Sequence, residues 1–327
     1  MVIEYHYSRR LTSQKYVIEC LKPKGGLDMA ARIENWLTEL HNDGKDEKTI
    51  IAYRTVLNQF STWFEQTSGD SDLSKVTQMD IKDFKQYMAA TLGRKPATIN
   101  KALVTLKGFF EWAMENGFTP SNPARKVKLV EKQALAPKWL ERSEQNRLIR
   151  AIEQEKNQFK KARDLAIVQV GLQAGLRLEE ICNLGISDVT VNGRSGTVIV
   201  REGKRGKYRE VPLNADIRVA LKDYLKERET HKYGDSERLF IGERNPLLTP
   251  RAIQHLIEEY GRKAKIEGLT AHKLRHSFCH NLMDAKVGIE KVAMLAGHSS
   301  LESTRVYIVP GKRELQATVE TIAVTDE

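Results

Sequence analysis

Apolar residues recur at helical spacing through most of this chain, and the period changes after Asp188, which points to a mainly helical fold interrupted by a hairpin. Ile33, Trp36, Leu37 and Leu40 form one stripe, and Tyr53, Val56, Leu57, Phe60, Trp63 and Phe64 form another. Val76 to Met88, with Thr77 as cap, gives a third, and Ile99, Leu103, Leu106, Phe110 and Ala113 a fourth. These predict a four-helix domain ending near Asn116-Gly117. The period of two appears at Thr197 to Val200 and Tyr208 to Leu213, on either side of Gly203-Lys204-Arg205-Gly206. Such β-branched and aromatic runs around a glycine-bounded turn predict a hairpin with Lys204 at its tip.

At 327 residues the chain is long enough for two domains with a core each. The expected division is an N-terminal extension over 1–28, a helical domain over 29–120, a linker over 121–137, a larger domain over 138–310 and a tail over 311–327. The linker is read from Pro120, Pro123 and Pro137 and from the basic residues Arg125, Lys126 and Lys128 between them. In the larger domain Arg163 to Leu172 is apolar nearly all round and predicts a buried helix stopped at Gly175. Arg177 then opens a short helix carrying Leu178, Ile181 and Leu184, and Glu180, one turn on, supplies a partner for its charge. Thr249-Pro250 opens a further helix with Ile253, Leu256, Ile257 and Tyr260. Leu315, Val319 and Ile322 share one face of the tail, which packs on its own domain or docks on a neighbouring subunit.

Polar groups of unusual density lie between Thr270 and Pro310. Thr270 caps a helix with His272 in its first turn and Arg275 one turn later, near the end where an anion is favoured. Ile289 to Leu295 predicts a second helix stopped by Gly297, with His298 following. Ser299 and Glu302 read as a capping box for a third, which carries Thr304 and Tyr307. The set combines phosphate-binding donors with a phenolic nucleophile. Taken singly, each of these residues is ordinary: H-x-x-R pairs arise by chance, and a helical tyrosine is usually a core residue. A metal site competes, because His272, His276 and His280 recur every fourth residue beside Cys279. Three such histidines span about 12 Å of helix, too far for one ion, and no H-E-x-x-H pattern is present. No metal ligand set and no cofactor are therefore assigned.

The formal charge of +10 is spread along the chain and interleaved with acids, which suits a protein that wraps a polyanion. Lys48, Thr49, Arg54, Arg94, Lys95, Thr98, Lys101 and Lys107 lie off the apolar stripes of the first domain, as a solvated face or as phosphate contacts. No run of 18 apolar residues and no signal-peptide pattern occur, which argues against a membrane partner. Cys20, Cys182 and Cys279 are distant and odd in number, as expected of reduced thiols in a cytoplasmic setting.

The order G-L-R-L-E-E at 175–180, G-K-R-G-K-Y-R-E-V-P-L at 203–213, H-K-L-R-H-S-F at 272–278, L-A-G-H-S at 295–299 and then Tyr307 resembles the tyrosine recombinase, or phage integrase, family. The similarity spans residues 30–315, and the joint order of five motifs is specific where each alone is weak. It implies a helical core-binding domain and a mainly helical catalytic domain with a small antiparallel sheet, forming a C-shaped clamp on duplex DNA. It also implies that Arg177 and Arg275 are the two catalytic arginines, Lys204 the hairpin lysine, His272 and His298 the two histidine positions, Tyr307 the nucleophile and Glu180 the supporting acid. Arg205, Lys207, Arg209 and Lys273 join the DNA-contact candidates.

In that chemistry two guanidiniums and His298 bind the non-bridging oxygens, His272 accepts the phenolic proton, and Lys204 protonates the leaving 5′-oxygen. The expected function is site-specific recombination through a 3′-phosphotyrosyl intermediate, without metal or ATP. The expected substrate is double-stranded DNA with an inverted-repeat core site, held by a homotetramer on two sites or by a heterotetramer with a related recombinase. A cytoplasmic, nucleoid-associated prokaryotic protein fits this role. A type IB topoisomerase-like relaxing activity and a non-catalytic DNA-binding regulator are the alternatives. The short N-terminal extension favours resolution of a chromosome dimer, plasmid or transposon cointegrate over phage integration.

Overall fold

The computed structural model describes residues 28–131, 138–203, 207–298, 300–307 and 319–320, which form two compact units divided between Ala134 and Leu135. The expected N-terminal extension with Cys20, the end of the linker, Lys204 and Arg205 at the hairpin tip, Ser299 of the expected capping box and nearly all of the tail lie outside the described residues.

The first unit holds α1 (Met29–Asn42), α2 (Glu47–Ser68), α3 (Gln78–Ala90) and α4 (Pro96–Glu115), one for each apolar stripe. Local chemistry sets the starts: the Asp46 carboxylate accepts from the Thr49 amide, Thr77 and Asp80 cap α3 reciprocally, and Pro96 opens α4. The stripes meet in an aromatic core in which Phe60 lies 5.2 Å from Phe84 and 6.0 Å from Phe110, both edge-on. Each buried ring contributes roughly 1.5–3 kcal/mol.

The expected linker is shorter than its prolines suggest. Ala124 and Val127 are buried in this first core, and the Asn100 amide bonds to both the N–H and the carbonyl of Val130, at 2.7 and 2.8 Å. Lys85 adds a bond to the Lys128 carbonyl at 2.8 Å. α4 ends at Glu115, with Asn116 as its cap and Gly117 at φ +72°, and the chain beyond Pro120 and Pro123 still presents apolar side chains to the core. Asn100 supplies the backbone pairing that a neighbouring strand would otherwise give.

The second unit begins with α5 (Arg142–Glu153) and α6 (Gln158–Gln173), and continues with the short α7 (Leu178–Asn183). A three-stranded antiparallel sheet follows, β1 (Val189–Val191), β2 (Gly196–Gly203) and β3 (Lys207–Pro212), in that spatial order. Val198 sits opposite both Val189 and Val211, so one face of the sheet is apolar. Then come α8 (Ala215–Glu229), α9 (Pro250–Lys263), α10 (Ala271–Asp284), α11 (Ile289–Ala296) and the four-residue α12 (Glu302–Arg305). Leu301 stands at the cap position of α12. Helix α6 is the axis of this unit, with Ala166, Ile167, Val168 and Val170 all fully buried. No helix among the described residues is long and apolar enough to cross a membrane.

Candidate active site

The site is built where two chain reversals meet α10. After α6 the chain turns at Gly175 with φ +65°, and a Cβ there would lie 2.2 Å from the Phe278 ring. Only glycine meets both conditions, so the turn can sit directly on α10. The second reversal is Gly297, also at φ +65°, which ends α11 and leaves its last carbonyls open.

Those carbonyls hold the two arginines. Arg275, 2% exposed, donates to the carbonyls of Gly175 at 2.6 Å and of Ala296. Arg177, the cap residue of α7, donates to the carbonyl of Gly297 at 2.8 Å. Guanidiniums from distant parts of the sequence thus hang on adjacent carbonyls at the negative end of a helix. Desolvation and then the nearby Arg177 charge lower the Arg275 pKa to about 10, which still leaves it charged at neutral pH.

Glu180 fixes this geometry. Its carboxylate accepts from the Arg177 backbone N–H at 2.8 Å, from the Arg177 guanidinium at 2.7 Å and from both terminal nitrogens of Arg209 at 3.0 and 2.7 Å. Burial raises its proton affinity, but the bonds and charges of Arg209 and Arg177 outweigh that and hold its pKa at about 2. Arg209, expected on the DNA face, turns inward instead. Its side chain is 10% exposed, and its Nε donates to the Leu295 carbonyl at 3.1 Å. A buried carboxylate facing one half-exposed arginine draws in the second cation from β3.

Tyr307 is 6% exposed and packs with Phe278, Cys279, Val292 and Ala296. Its hydroxyl meets Nδ1 of His276 and also bonds to the Cys279 thiol. His276, and not His272, the expected acceptor of the phenolic proton, is the histidine that meets this hydroxyl. His272 is open to solvent and lies edge-to-face on His276 at 4.2 Å between ring centroids. Desolvation, followed by the charges of Arg275 and Arg177, lowers its pKa. For His276, desolvation and then His272 and Arg275 lower the pKa to about 4. His298 is likewise lowered to about 4, by desolvation and then Arg275 and Arg177. Its Nδ1 bonds to the buried Thr304 hydroxyl at 2.7 Å, which leaves the Nε2 edge for a substrate oxygen. Burial, and then Cys279, push the Tyr307 phenol up from its ordinary value.

The histidine row does not converge on an ion: His280 stacks on Trp139 at 4.0 Å, away from the His272 and His276 pair, and no metal-binding cluster occurs among the described residues. Cys182 and Cys279 are free thiols.

The basic candidates of the first unit divide. Arg94, Lys126 and Lys128 line a groove of about 690 Å³ together with Lys82 and Lys85, which the sequence reading did not single out. Thr49 and Lys101 line another, of about 630 Å³, on the other side of the Asn100–Val130 pairing. Lys48, Lys95, Thr98 and Arg125 are exposed, and Lys107 is half-buried. Arg54 departs from expectation, because its guanidinium forms a two-bond fork with Glu34 at 2.8 and 2.9 Å. In the second unit Lys273 donates to the Glu267 carbonyl at 3.4 Å. Lys204, Arg205 and the Lys207 side chain lie outside the described residues.

Comparison with known proteins decides the family. The phage integrase family profile matches residues 138–313, and that of the phage integrase N-terminal SAM-like domain matches residues 33–117. The chain belongs to the phage integrase family. It is a tyrosine recombinase, an enzyme of site-specific DNA recombination. It is 27% identical to the TnP I resolvase of Bacillus thuringiensis, over 90% of this chain and 99% of that protein. It is 30% identical to tyrosine recombinase XerA of Pyrococcus furiosus, over 88% of this chain and 92% of that protein. Among solved structures it shares the fold of XerH bound to a palindromic difH substrate, with a TM-score of 0.72 and 24% identity over 89% of this chain and 84% of XerH. The mainly helical architecture with one small antiparallel sheet is the fold of this family.

Proposed function

We propose that this recombinase cleaves one strand of a duplex by attack of the Tyr307 hydroxyl on a phosphodiester, leaving a 3′-phosphotyrosyl bond and a free 5′-hydroxyl. The observation that carries this reading is the suspension of Arg177 and Arg275 from neighbouring carbonyls, in the same cluster of elements that packs Tyr307. The pentavalent transition state gathers charge on its non-bridging oxygens. Two guanidiniums whose backbone-facing nitrogens are already committed can offer the remaining donors without reorganising. His298, turned by Thr304, adds a third donor. Lys204, on the hairpin whose β3 carries Arg209, is assigned the proton for the leaving 5′-oxygen.

The phosphoester is exchanged and not hydrolysed, so a second strand's 5′-hydroxyl can reverse the step with no ATP. The grooves lined by Arg94, Lys126 and Lys128, and by Lys101, would bind the duplex backbone in the first unit. The core site assigned to this recombinase is two inverted repeats, each of about eleven to thirteen base pairs, the span of about one turn of DNA that one helix-bearing domain pair covers. Four subunits, identical or paired with a related recombinase, would then exchange strands between two sites. The test mixes two duplexes bearing the selected site, with chelator present and ATP absent, and looks for recombinant products. Relaxation of supercoils without exchanged arms would favour the topoisomerase-like alternative.

A further inference from the structure

The geometry points to His276 as a further catalytic residue, the base that takes the Tyr307 proton during strand cleavage and returns it during rejoining. This inference rests on Tyr307 being the nucleophile, as proposed above.

Two groups touch the Tyr307 hydroxyl among the described residues, Nδ1 of His276 and the thiol of Cys279. Burial pushes the Cys279 thiol up, so it remains a neutral and weak partner. Among the described residues no carboxylate bonds to the phenol. His276 is thus the one group in contact that carries a free basic lone pair at neutral pH. Its ring is also held in place, since His272 closes on it edge-to-face at 4.2 Å and the α10 backbone fixes its base. Around it stand His272, Arg275 and Cys279 on its own helix, Tyr307 and His298 beyond α11, and Arg177 across the site.

Burial, and then His272 and Arg275, keep His276 neutral in the free protein. A phosphodiester bound between the guanidiniums brings a negative charge that offsets them, so the proton affinity of His276 rises as the substrate arrives. In the step itself the Tyr307 O–H bond breaks and an N–H bond forms at His276 Nδ1. The phenolic oxygen bonds to phosphorus as the bond from phosphorus to the 5′-oxygen breaks, and that oxygen takes its proton from a separate acid. Rejoining runs the same transfers backward, with the His276 imidazolium protonating the departing tyrosinate.

The decisive variant is His276→Asn, because the Asn side-chain oxygen can accept a hydrogen bond where Nδ1 stood but is not a base. Duplex DNA selected by the full-length protein from a random pool is nicked so that cleavage becomes irreversible, and the rate of covalent trapping is measured in a single turnover. The expected loss is about a hundredfold or more, within the usual range for general base catalysis, with DNA affinity unchanged. A smaller loss, or faster trapping as expected of a histidine that merely restrains the tyrosine, overturns the proposal. If the Asn variant fails to bind DNA, His276→Gly is used with added imidazole, whose rescue must follow the neutral imidazole fraction as pH is varied. Absence of rescue also overturns it. Failure of the native protein to trap DNA at all would instead strike at the nucleophile assignment.

Discussion

Replacing Glu180 with glutamine should destabilise the second unit by about 3 kcal/mol at neutral pH, and the loss should disappear in acid. Glu180 is held near pKa 2 against an ordinary value of 4.5. At about 1.4 kcal/mol for each tenfold change in proton affinity, that difference is worth about 3 kcal/mol to the folded state. An independent route gives the same size, because removing one member of a buried ion pair costs about 3–5 kcal/mol when the other charge stays behind. Arg209, 10% exposed, is that other charge. The sign follows from the depression: the carboxylate's contribution is complete above about pH 4.5 and fades as the pH falls toward 2. Urea unfolding can be followed by hydrogen exchange of the α6 amides, which belong to the second unit alone. At pH 7 the wild-type protein should exceed Glu180→Gln by about 3 kcal/mol, and at pH 2.5 by less than about 1. A difference that is small at pH 7, or that does not change with pH, would refute the electrostatic role given to Glu180. Covalent cleavage should also slow, since Arg177 loses the anchor that aims it.

Other perturbations separate structure from DNA contact. Gly175→Ala places a Cβ against Phe278 at positive φ, and should cost about 2–4 kcal/mol and lower the melting temperature by roughly 5–10 °C. Asn100→Ala should lower the stability of the first unit by about 1–3 kcal/mol in the same urea assay, because both Val130 backbone groups lose their partner. Arg209→Met should leave the salt dependence of DNA affinity unchanged, whereas Lys126→Ala on the exposed groove should reduce its slope by about one. A reduced slope with Arg209→Met would return that residue to the DNA face.

How much of this was legible in the chain depended on the kind of signal. The helices α1 to α4 follow from local periodicity, and Thr77, Thr249 and Thr270 each cap the helix expected of them. The convergence of Arg177, Glu180, Arg275, His298 and Tyr307 could not come from periodicity, and the ordered motifs carried it. Arg209 was misread because a basic residue on a hairpin looks the same in sequence whether it faces solvent or a buried carboxylate three elements away. The strap from Ala124 to Val130 was hidden by its prolines, which announce the end of a helix and nothing about what the extended chain then touches. Helices α5 and α8 and the three-residue β1 lay in stretches where no motif drew attention. His276 was visible one turn beyond His272, yet only the three-dimensional position of Tyr307 showed which of the two faces the hydroxyl.

The most direct test of the central claim is the chemical identity of the covalent link. The trapped complex on nicked, selected duplex would be digested with nuclease and trypsin, and the nucleotide-bearing peptide sequenced by mass spectrometry. The expected result is a 3′-phosphate joined to Tyr307 in the peptide that begins at Val306, and no complex with Tyr307→Phe. A nucleotide on any other side chain, or trapping by the Phe variant, would contradict the assignment of Tyr307 as the nucleophile.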